Sequence, residues 1–541
     1  MRKEDSVELS VSCGSFTSPC ACLSDQRALT RFESKESGLG DRTNTHTQNE
    51  QQGMILLACG SNGQGQLGLG ASNVEDAHHW TSCRYSTGDA GLIQDFPPHG
   101  WTIEEMSGGA NHTVALLGPS QASAQSNGQN QVWVAGDASE VSTEEPISTL
   151  FRQLDLGSLG LDANQVPKAV AASWSNTYIA TEAIDGLGSD QLWCLGSEGD
   201  FGQLGLPREL ALSKEQPHRL HRIDLHEVDT EAGSVGGTAP RRLRLLQLCA
   251  GVRHVLVLLQ VSLPEPSPPS QAVLVGWGAS RHGQLGASTA KDKICWRPRS
   301  IATWQIGKKA ATAVARPLLT AGRDHSAMLV PASWEPVAPC DIDDEPRSQR
   351  SHRILAFGSN KAGQLDLARE AFKNSQASNQ MSPTWVGATW NSTLALSSDA
   401  AAPSLQGLSV IGSGRNDKGQ LGCGKDEQDH TPTRVDWPTS LAPSPSAPAP
   451  RIQSMTCGSE HVLCLVEAGE ADDQVSQVWG WGWNEHGNLA RCEERSGQLE
   501  DVLVPVRIWP SDGRRSAQTR SQRAVAVWAG CATSFVLLKN A

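Results

Sequence analysis

Tyrosine is almost missing from this chain: there are 2 in 541 residues, beside 8 phenylalanines and 6 methionines. Large side chains must therefore come from the 17 tryptophans, set among 52 glycines. That is the composition of a glycine-rich β protein rather than a helical one. The 14 cysteines include no CxxC pair, and the nearest two, Cys20 and Cys22, lie in a polar stretch. Neither zinc-ligand spacing nor a disulfide framework is legible, and a reducing compartment is expected. Cys59, Cys194, Cys249, Cys457, Cys464 and Cys531 lie in or beside apolar runs, as small buried hydrophobes do. Long apolar runs are absent, so no bilayer span is expected. Arg2, Lys3, Glu4 and Asp5 lead into no apolar core, so no signal peptide is expected, and the expected setting is cytoplasmic, with the nucleus a second site.

An excess of positive charge is also lacking. The formal net charge is −13, which disfavours wrapping DNA or holding RNA nonspecifically. The local basic groups Arg241, Arg242 and Arg244, and Arg514, Arg515, Arg520 and Arg523, read as solvated loops. No phosphate loop, nucleophile elbow, HExxH or dinucleotide fingerprint occurs, so no catalytic residue, cofactor or metal is assigned. The acidic run Asp341, Asp343, Asp344 and Glu345 reads as a solvated loop.

What the chain does contain is repetition. The stretch from Gly60, GSNGQGQLG, follows the apolar run Ile55–Cys59. It returns from Gly196 (GSEGDFGQLG), Gly278 (GASRHGQLG), Gly358 (GSNKAGQLD), Gly414 (GRNDKGQLG) and Gly482 (GWNEHGNLA), and in worn form at Gln131–Asp137. A second element, a glycine turn followed by His and an apolar run, occurs around His112, His254, His325 and His461. Degenerate copies surround Asn176, Ser392 and Thr533. The two elements alternate strictly, seven of each, and such a count overrides a domain number drawn from length.

Each unit reads as four short strands, and short strands at regular spacing with glycine turns indicate a closed all-β architecture. The expected fold is a seven-bladed β-propeller spanning 54–541, preceded by a disordered polar tail over 1–53. The chain begins on a third-position strand and ends on a second-position strand. The two termini can therefore share one blade and close the ring, which removes two exposed edges. The variable, Pro-rich insertions (Gly118–Asn130, Pro264–Ser270, Pro331–Ser351, Asp399–Gly407 and Glu467–Ser476, with Glu227–Pro240, Thr439–Pro450 and Pro510–Gln522 between units) fall on one face. The histidine turns and the GQLG turns fall on the other, conformationally fixed face.

Most repeated residues carry structure. Gly60, Gly65, Gly196, Gly202, Gly278, Gly283, Gly358, Gly363, Gly414, Gly419, Gly482 and Gly487 permit the turns. Leu67, Leu204, Leu285, Leu365, Leu421 and Leu489 plug apolar space between blades. Because His112, His254, His325 and His461 recur once per unit, symmetry spreads them around the ring, and they read as hydrogen-bonding rather than catalytic or metal-binding groups. The variable positions beside the histidine turns, Trp174, Arg253, Arg323, Asp324, Trp390 and Glu460, are the candidate interaction surface, since Trp and Arg often anchor interfaces. Their competing role is local turn packing. Charge reversal at Arg253 and Glu460 is expected to leave stability nearly unchanged.

These motifs resemble the RCC1-type (regulator of chromosome condensation) repeat over about 54–541, and the resemblance implies a seven-bladed propeller. The opening stretch Ile55–Gly70, with Glu75 and Asp76, looks like the fungal alpha-tubulin suppressor type of RCC1-like protein. That likeness implies a non-enzymatic, monomeric propeller. Its expected partner is a small CSL-type zinc protein serving diphthamide synthesis and Elongator-dependent modification of the tRNA wobble uridine, with no membrane and no direct nucleic-acid contact. The alternative implied by the family is guanine-nucleotide exchange on a Ran-type small GTPase, or a generic scaffold.

Overall fold

Met54–Ser61 lies antiparallel to Thr533–Asn540, in register from Met54 opposite Lys539 to Gly60 opposite Thr533. The first and last strands thus occupy one sheet, as expected. The computed structural model describes residues 53–540 less the loops 71–73, 88–91, 121–127, 138–146, 197–198, 214–219, 227, 229–241, 263–269, 307–317, 338–351, 374–381, 399–408, 425–430, 442–448, 469–474, 493–498 and 511–521. The polar tail except Gly53, most of the insertions, the acidic run at 341–345 and Arg241, Arg514, Arg515 and Arg520 lie outside the described residues.

Seven sheets follow one another around a ring, antiparallel throughout except where Tyr85 pairs parallel with Phe151 in blade 1. Blade 1 starts at the innermost strand Trp101–Gly108, blade 2 at Gln165–Ala172 and blade 3 at Arg242–Ala250. Blade 4 starts at Leu318–Ala321, blade 5 at Ser382–Ala388 and blade 6 at Arg451–Cys457. Blade 7 joins Gln522–Ala529 and Thr533–Asn540 to Met54–Ser61 and Asp76–Ser82.

The second strand of each blade is an unbroken apolar run because both of its faces are covered. In blade 3, Val255, Val257 and Leu259 point into the core shared with blade 2, while Leu256 and Leu258 point into the core shared with blade 4. Successive side chains leave a strand on opposite faces, so alternation distributes one run between two interblade cores.

Three blades depart from four strands. Blade 1 is six-stranded, extended at its outer edge by the hairpin Arg84–Thr87 and Leu92–Asp95. Blade 3 gains a fifth strand, Trp334–Pro336, paired to the long strand Ile294–Ile306. Blade 4 has three strands, and the helix Asp366–Lys373 follows its GQLD turn. Leu, Ala, Arg and Glu in that segment favour helix. Its buried Leu367 and Ala368 enter the apolar seam with Ile411 of blade 5, and the Leu367 amide donates to Ser413 Oγ at 2.9 Å.

Candidate functional site: the fixed face and the axis

The GxNxxGQLG turn is fixed by its own side chains. Asn62, Asn360, Asn416 and Asn484 each accept from the amide of the Leu five residues on, at 2.7–3.0 Å. The Gln of GQLG accepts from the amide two residues back, as Gln284 does from His282 at 2.9 Å. Gly283 has φ +80°, which an L side chain rarely adopts. The plug leucines are 0–6 % exposed, and Gly276, Gly412 and Gly480 in the third strands leave the space that Leu285, Leu421 and Leu489 fill.

The histidine turn stands beside it. The amide after each anchoring glycine donates to the carbonyl before the histidine position. Ala279 donates to Arg253, Ser359 to Asp324, Arg415 to Asn391 and Trp483 to Glu460, at 2.8–3.0 Å. A Cβ on Gly278 would come within 2.5 Å of the Arg253 carbonyl oxygen, so the two turns touch backbone to backbone. Both turns therefore emerge on the same face. Blade 2, with its extra residue, is built differently: a Cβ on Gly196 would meet Asn176 Oδ1 at 1.9 Å.

The histidines couple blades. His112 Nε2 lies 3.0 Å from Thr177 Oγ1, His254 2.9 Å from Ser326 Oγ, His325 3.1 Å from Thr393 Oγ1 and His461 3.0 Å from Ser534 Oγ. In every case the hydroxyl belongs to the next blade. Burial pushes His254 down to about 3, His325 to about 4 and His461 to about 4, so these rings are neutral near pH 7. Each imidazole packs on its own glycine, which has no room for a Cβ: Gly322 would place one 2.3 Å from His325 Cε1. Where His is absent the glycine is absent too in blades 2 and 5. There Asn176 and Ser392 donate their amides to the hydroxyls of Ser173 and Thr389. Among the described residues, no group of three or more His, Cys, Asp or Glu side chains is placed to hold a metal.

The innermost strands of all seven blades line an axial cavity of about 130 Å³. Cys249, Cys457 and Cys531 are among its lining residues and are half-buried, unlike the buried Cys59, Cys194 and Cys464. Desolvation pushes the Cys531 thiol up to about 11, which keeps it protonated and unreactive. A belt of interblade hydrogen bonds runs along two arcs of the cavity mouth, from blade 1 to blade 3 and from blade 4 to blade 7. Ala110 donates to Trp174 (2.8 Å), Trp174 to Val252 (3.2 Å), Arg323 to Trp390 (3.0 Å), Trp390 to Ser459 (2.7 Å) and Ser459 to Gly530 (3.1 Å).

The candidate contact residues sit on this belt or beside it. Trp174 is 42 % exposed and meets the half-buried Trp390 with ring centroids 6.0 Å apart. Arg253 is exposed and lies over the Phe201 ring of blade 2 at 4.1 Å. Arg323 is exposed, with Asp324 4.0 Å from its Nε. Glu460 is a correction. It is 8 % exposed and accepts from Asn391 Nδ2 and Gln420 Nε2, both at 2.8 Å and both from blade 5. Desolvation raises its pKa, partly offset by those two donors. It ties blades together and presents no carboxylate to a partner. Phe201, in the blade 2 turn, is a face residue that the sequence reading missed. Its position just before GQLG, beside the register of Arg253, was the available signal.

The repeat model for the regulator of chromosome condensation (RCC1) matches residues 409–465 and 476–537. This seven-bladed propeller carries RCC1 repeats. Its curated relatives include the ultraviolet-B receptor UVR8 of Arabidopsis thaliana, 24 % identical over 282 residues, which cover 51 % of this chain and 49 % of that protein. They also include the secretion-regulating guanine nucleotide exchange factor of Bos taurus, 24 % identical over 473 residues, which cover 83 % of this chain and 77 % of that protein. The matched region thus spans about half of the first relative's length and about three quarters of the second's. Among solved structures, the β-propeller domain of the Trilobed protease from Pyrococcus furiosus overlaps 74 % of this chain and 95 % of its own at 7 % identity and a TM-score of 0.29. No described helix of this RCC1-repeat propeller is long and apolar enough to cross a membrane.

Proposed function

We propose that this RCC1-repeat propeller is a non-enzymatic docking platform that binds a protein partner on its fixed face. The observation that carries the reading is the exposed Trp174, held against Trp390 on turns whose backbones are pinned to neighbouring blades. Rigid aromatic anchors lose little entropy on binding, which is what makes such positions effective contacts. The partner we infer is a small CSL-type zinc protein, acting in diphthamide synthesis and in Elongator-dependent wobble-uridine modification in the cytoplasm and nucleus. That finer identification is supported by the opening stretch Ile55–Gly70 with Glu75 and Asp76. Affinity purification of the tagged full-length protein tests it. A zinc-containing partner that is lost on Trp174→Ala supports the reading, and recovery of no zinc protein beside intact wobble modification in a deletion strain removes it.

A second reading is favoured by the match to an exchange factor over 83 % of this chain. In that reading the propeller opens the nucleotide site of a small GTPase, Ran-type in the family's founding member. A nucleotide-release assay separates the two: acceleration of GDP release by the full-length protein supports exchange, and an unchanged rate excludes it.

A further inference from the structure

The charges of the fixed face are not those of the whole chain. In blades 3, 4 and 5, the described turn residues beside the histidine positions and ahead of GQLG include Arg253, Arg281, Arg323, Lys361, Arg415 and Lys418, against Asp324 and Asp417. The corresponding turns of blades 6, 7, 1 and 2 hold Glu460, Glu485, Asp137 and Asp200 and no Lys or Arg. A chain of net charge −13 thus concentrates cations on one arc of one face. Part of that arc is internally matched: Lys418 pairs with Asp501 at 3.1 Å, and Arg415 pairs with Asp417. Among the described residues, no carboxylate forms an ion pair with Arg253, Arg281 or Lys361.

Arg253 is also oriented. Its guanidinium carbon lies 4.1 Å from the centre of the Phe201 ring, a cation–π contact that holds the side chain against blade 2, and a guanidinium can receive a carboxylate through two parallel hydrogen bonds. The Trp174–Trp390 pair lies at the centre of the face, over the mouth of the axial cavity. An apolar anchor at the centre, and on one side cations without an ion pair among the described residues, define the occupant's chemistry.

We infer that the fixed face binds an acidic, extended segment of a partner protein. One apolar side chain of that segment rests on the Trp174–Trp390 pair, and its carboxylates lie along Arg253, Arg281 and Lys361. This inference rests on the docking reading above and adds the character of the partner's contact segment. Opposite potentials raise the encounter rate and fix the orientation, and the pre-ordered Arg253 lowers the cost of the bound state.

The test titrates the full-length protein with a fluorescently labelled synthetic peptide of Asp and Glu around one central Leu. The same peptide with every acid changed to Ser, and a short oligothymidine, serve as comparison probes. Binding of the acidic peptide should weaken with salt, and Arg253→Glu, Arg281→Glu and Trp174→Ala should each weaken it by about tenfold at low ionic strength. Melting temperatures of the variants report folding, and Lys361→Glu provides an independent variant on the same arc. Equal affinity of the wild type and Arg253→Glu for the acidic peptide overturns the inference. So does equal binding of the serine peptide, preference for oligothymidine, or self-association of the protein that the acidic peptide does not compete away. If purification yields neither a zinc protein nor a GTPase while the peptide result holds, the partner identification has failed and the docking chemistry has not.

Discussion

The indoles of Trp174 and Trp390 are in contact distance, with centroids 6.0 Å apart and planes inclined at 40°, although their blades stand three apart around the ring. Each indole projects from within the turn, two residues past the innermost strand of its blade, so the two converge over the axis from nearly opposite sides. Their backbones are held by the interblade belt, since Trp174 bonds to blades 1 and 3 and Trp390 to blades 4 and 6.

Coupled indoles in fixed relative orientation give a near-ultraviolet circular dichroism signal that belongs to the pair. Trp174→Ala and Trp390→Ala are therefore expected to remove the same spectral feature. Trp174 is 42 % exposed and its turn is held by backbone bonds, so its removal should cost no more than about 1 kcal/mol in denaturant unfolding. Two unrelated difference spectra would show that the rings do not interact in solution.

The histidine couplings predict a contrast between two threonines. Thr177 Oγ1 meets His112 Nε2, whereas Thr113 Oγ1, at the same position of blade 1, is buried without a partner. The preceding blade 7 carries Thr533 where the other coupled blades carry His, and Thr533 Oγ1 is unpartnered as well. Thr177→Val should cost about 1–2 kcal/mol, and Thr113→Val should be neutral or stabilising, because only the first leaves a buried group unpaired. Urea midpoints of the two variants, measured side by side, check the difference.

Stability should also fall on acidification before the carboxylates protonate. His254, His325 and His461 have folded values of about 3, about 4 and about 4, below the 6.5 of the unfolded chain. The unfolded state therefore binds more protons between those values. The contribution is fully present above pH 6.5 and is lost as pH falls toward 4, at about 1.4 kcal/mol per pH unit for each histidine. Glu460 acts in the opposite sense: with its pKa raised above the ordinary 4.5, its contribution is fully present below pH 4.5 and is lost as pH rises through the raised folded value, so it offsets part of the histidine loss. Unfolding free energies measured at pH 7, 6 and 5 should decline, and the slope should lessen in His325→Asn.

The ring, the blade count and the shared closing blade were legible because each repeat carries its own local rule. Asn binds the amide five residues on, Gln binds the amide two back, and His requires the glycine three before it. Even the worn copies keep a compensating pair, as Ser173 and Asn176 do. Contacts set only by ring closure were not legible. Trp174 and Trp390 are separated by two blades of sequence, and nothing in either motif states that they meet. The helix at Asp366–Lys373 was signalled by its run of helix formers, but a four-strand template for every blade concealed it. Glu460 looked equivalent to Arg253 by register, yet its partners Asn391 and Gln420 belong to the preceding blade.

That last difference separates two charge reversals that the repeat alone treats as equal. Arg253 is exposed, and its replacement by Glu removes a surface cation stacked on Phe201. The unfolding free energy should move by no more than about 0.5–1 kcal/mol. Glu460→Lys places an ammonium where Asn391 and Gln420 both direct N–H groups, inside a site 8 % exposed. Two donors lose their acceptor, and a buried cation is left without a carboxylate partner. The expected loss is about 3–5 kcal/mol, the range for breaking a buried charged network. Thermal melts of the two variants at pH 7 decide it. Comparable small shifts would mean that Glu460 reaches solvent and is free to contact a partner, whereas a large loss confined to Glu460→Lys fixes its role as a tie between blades 5 and 6.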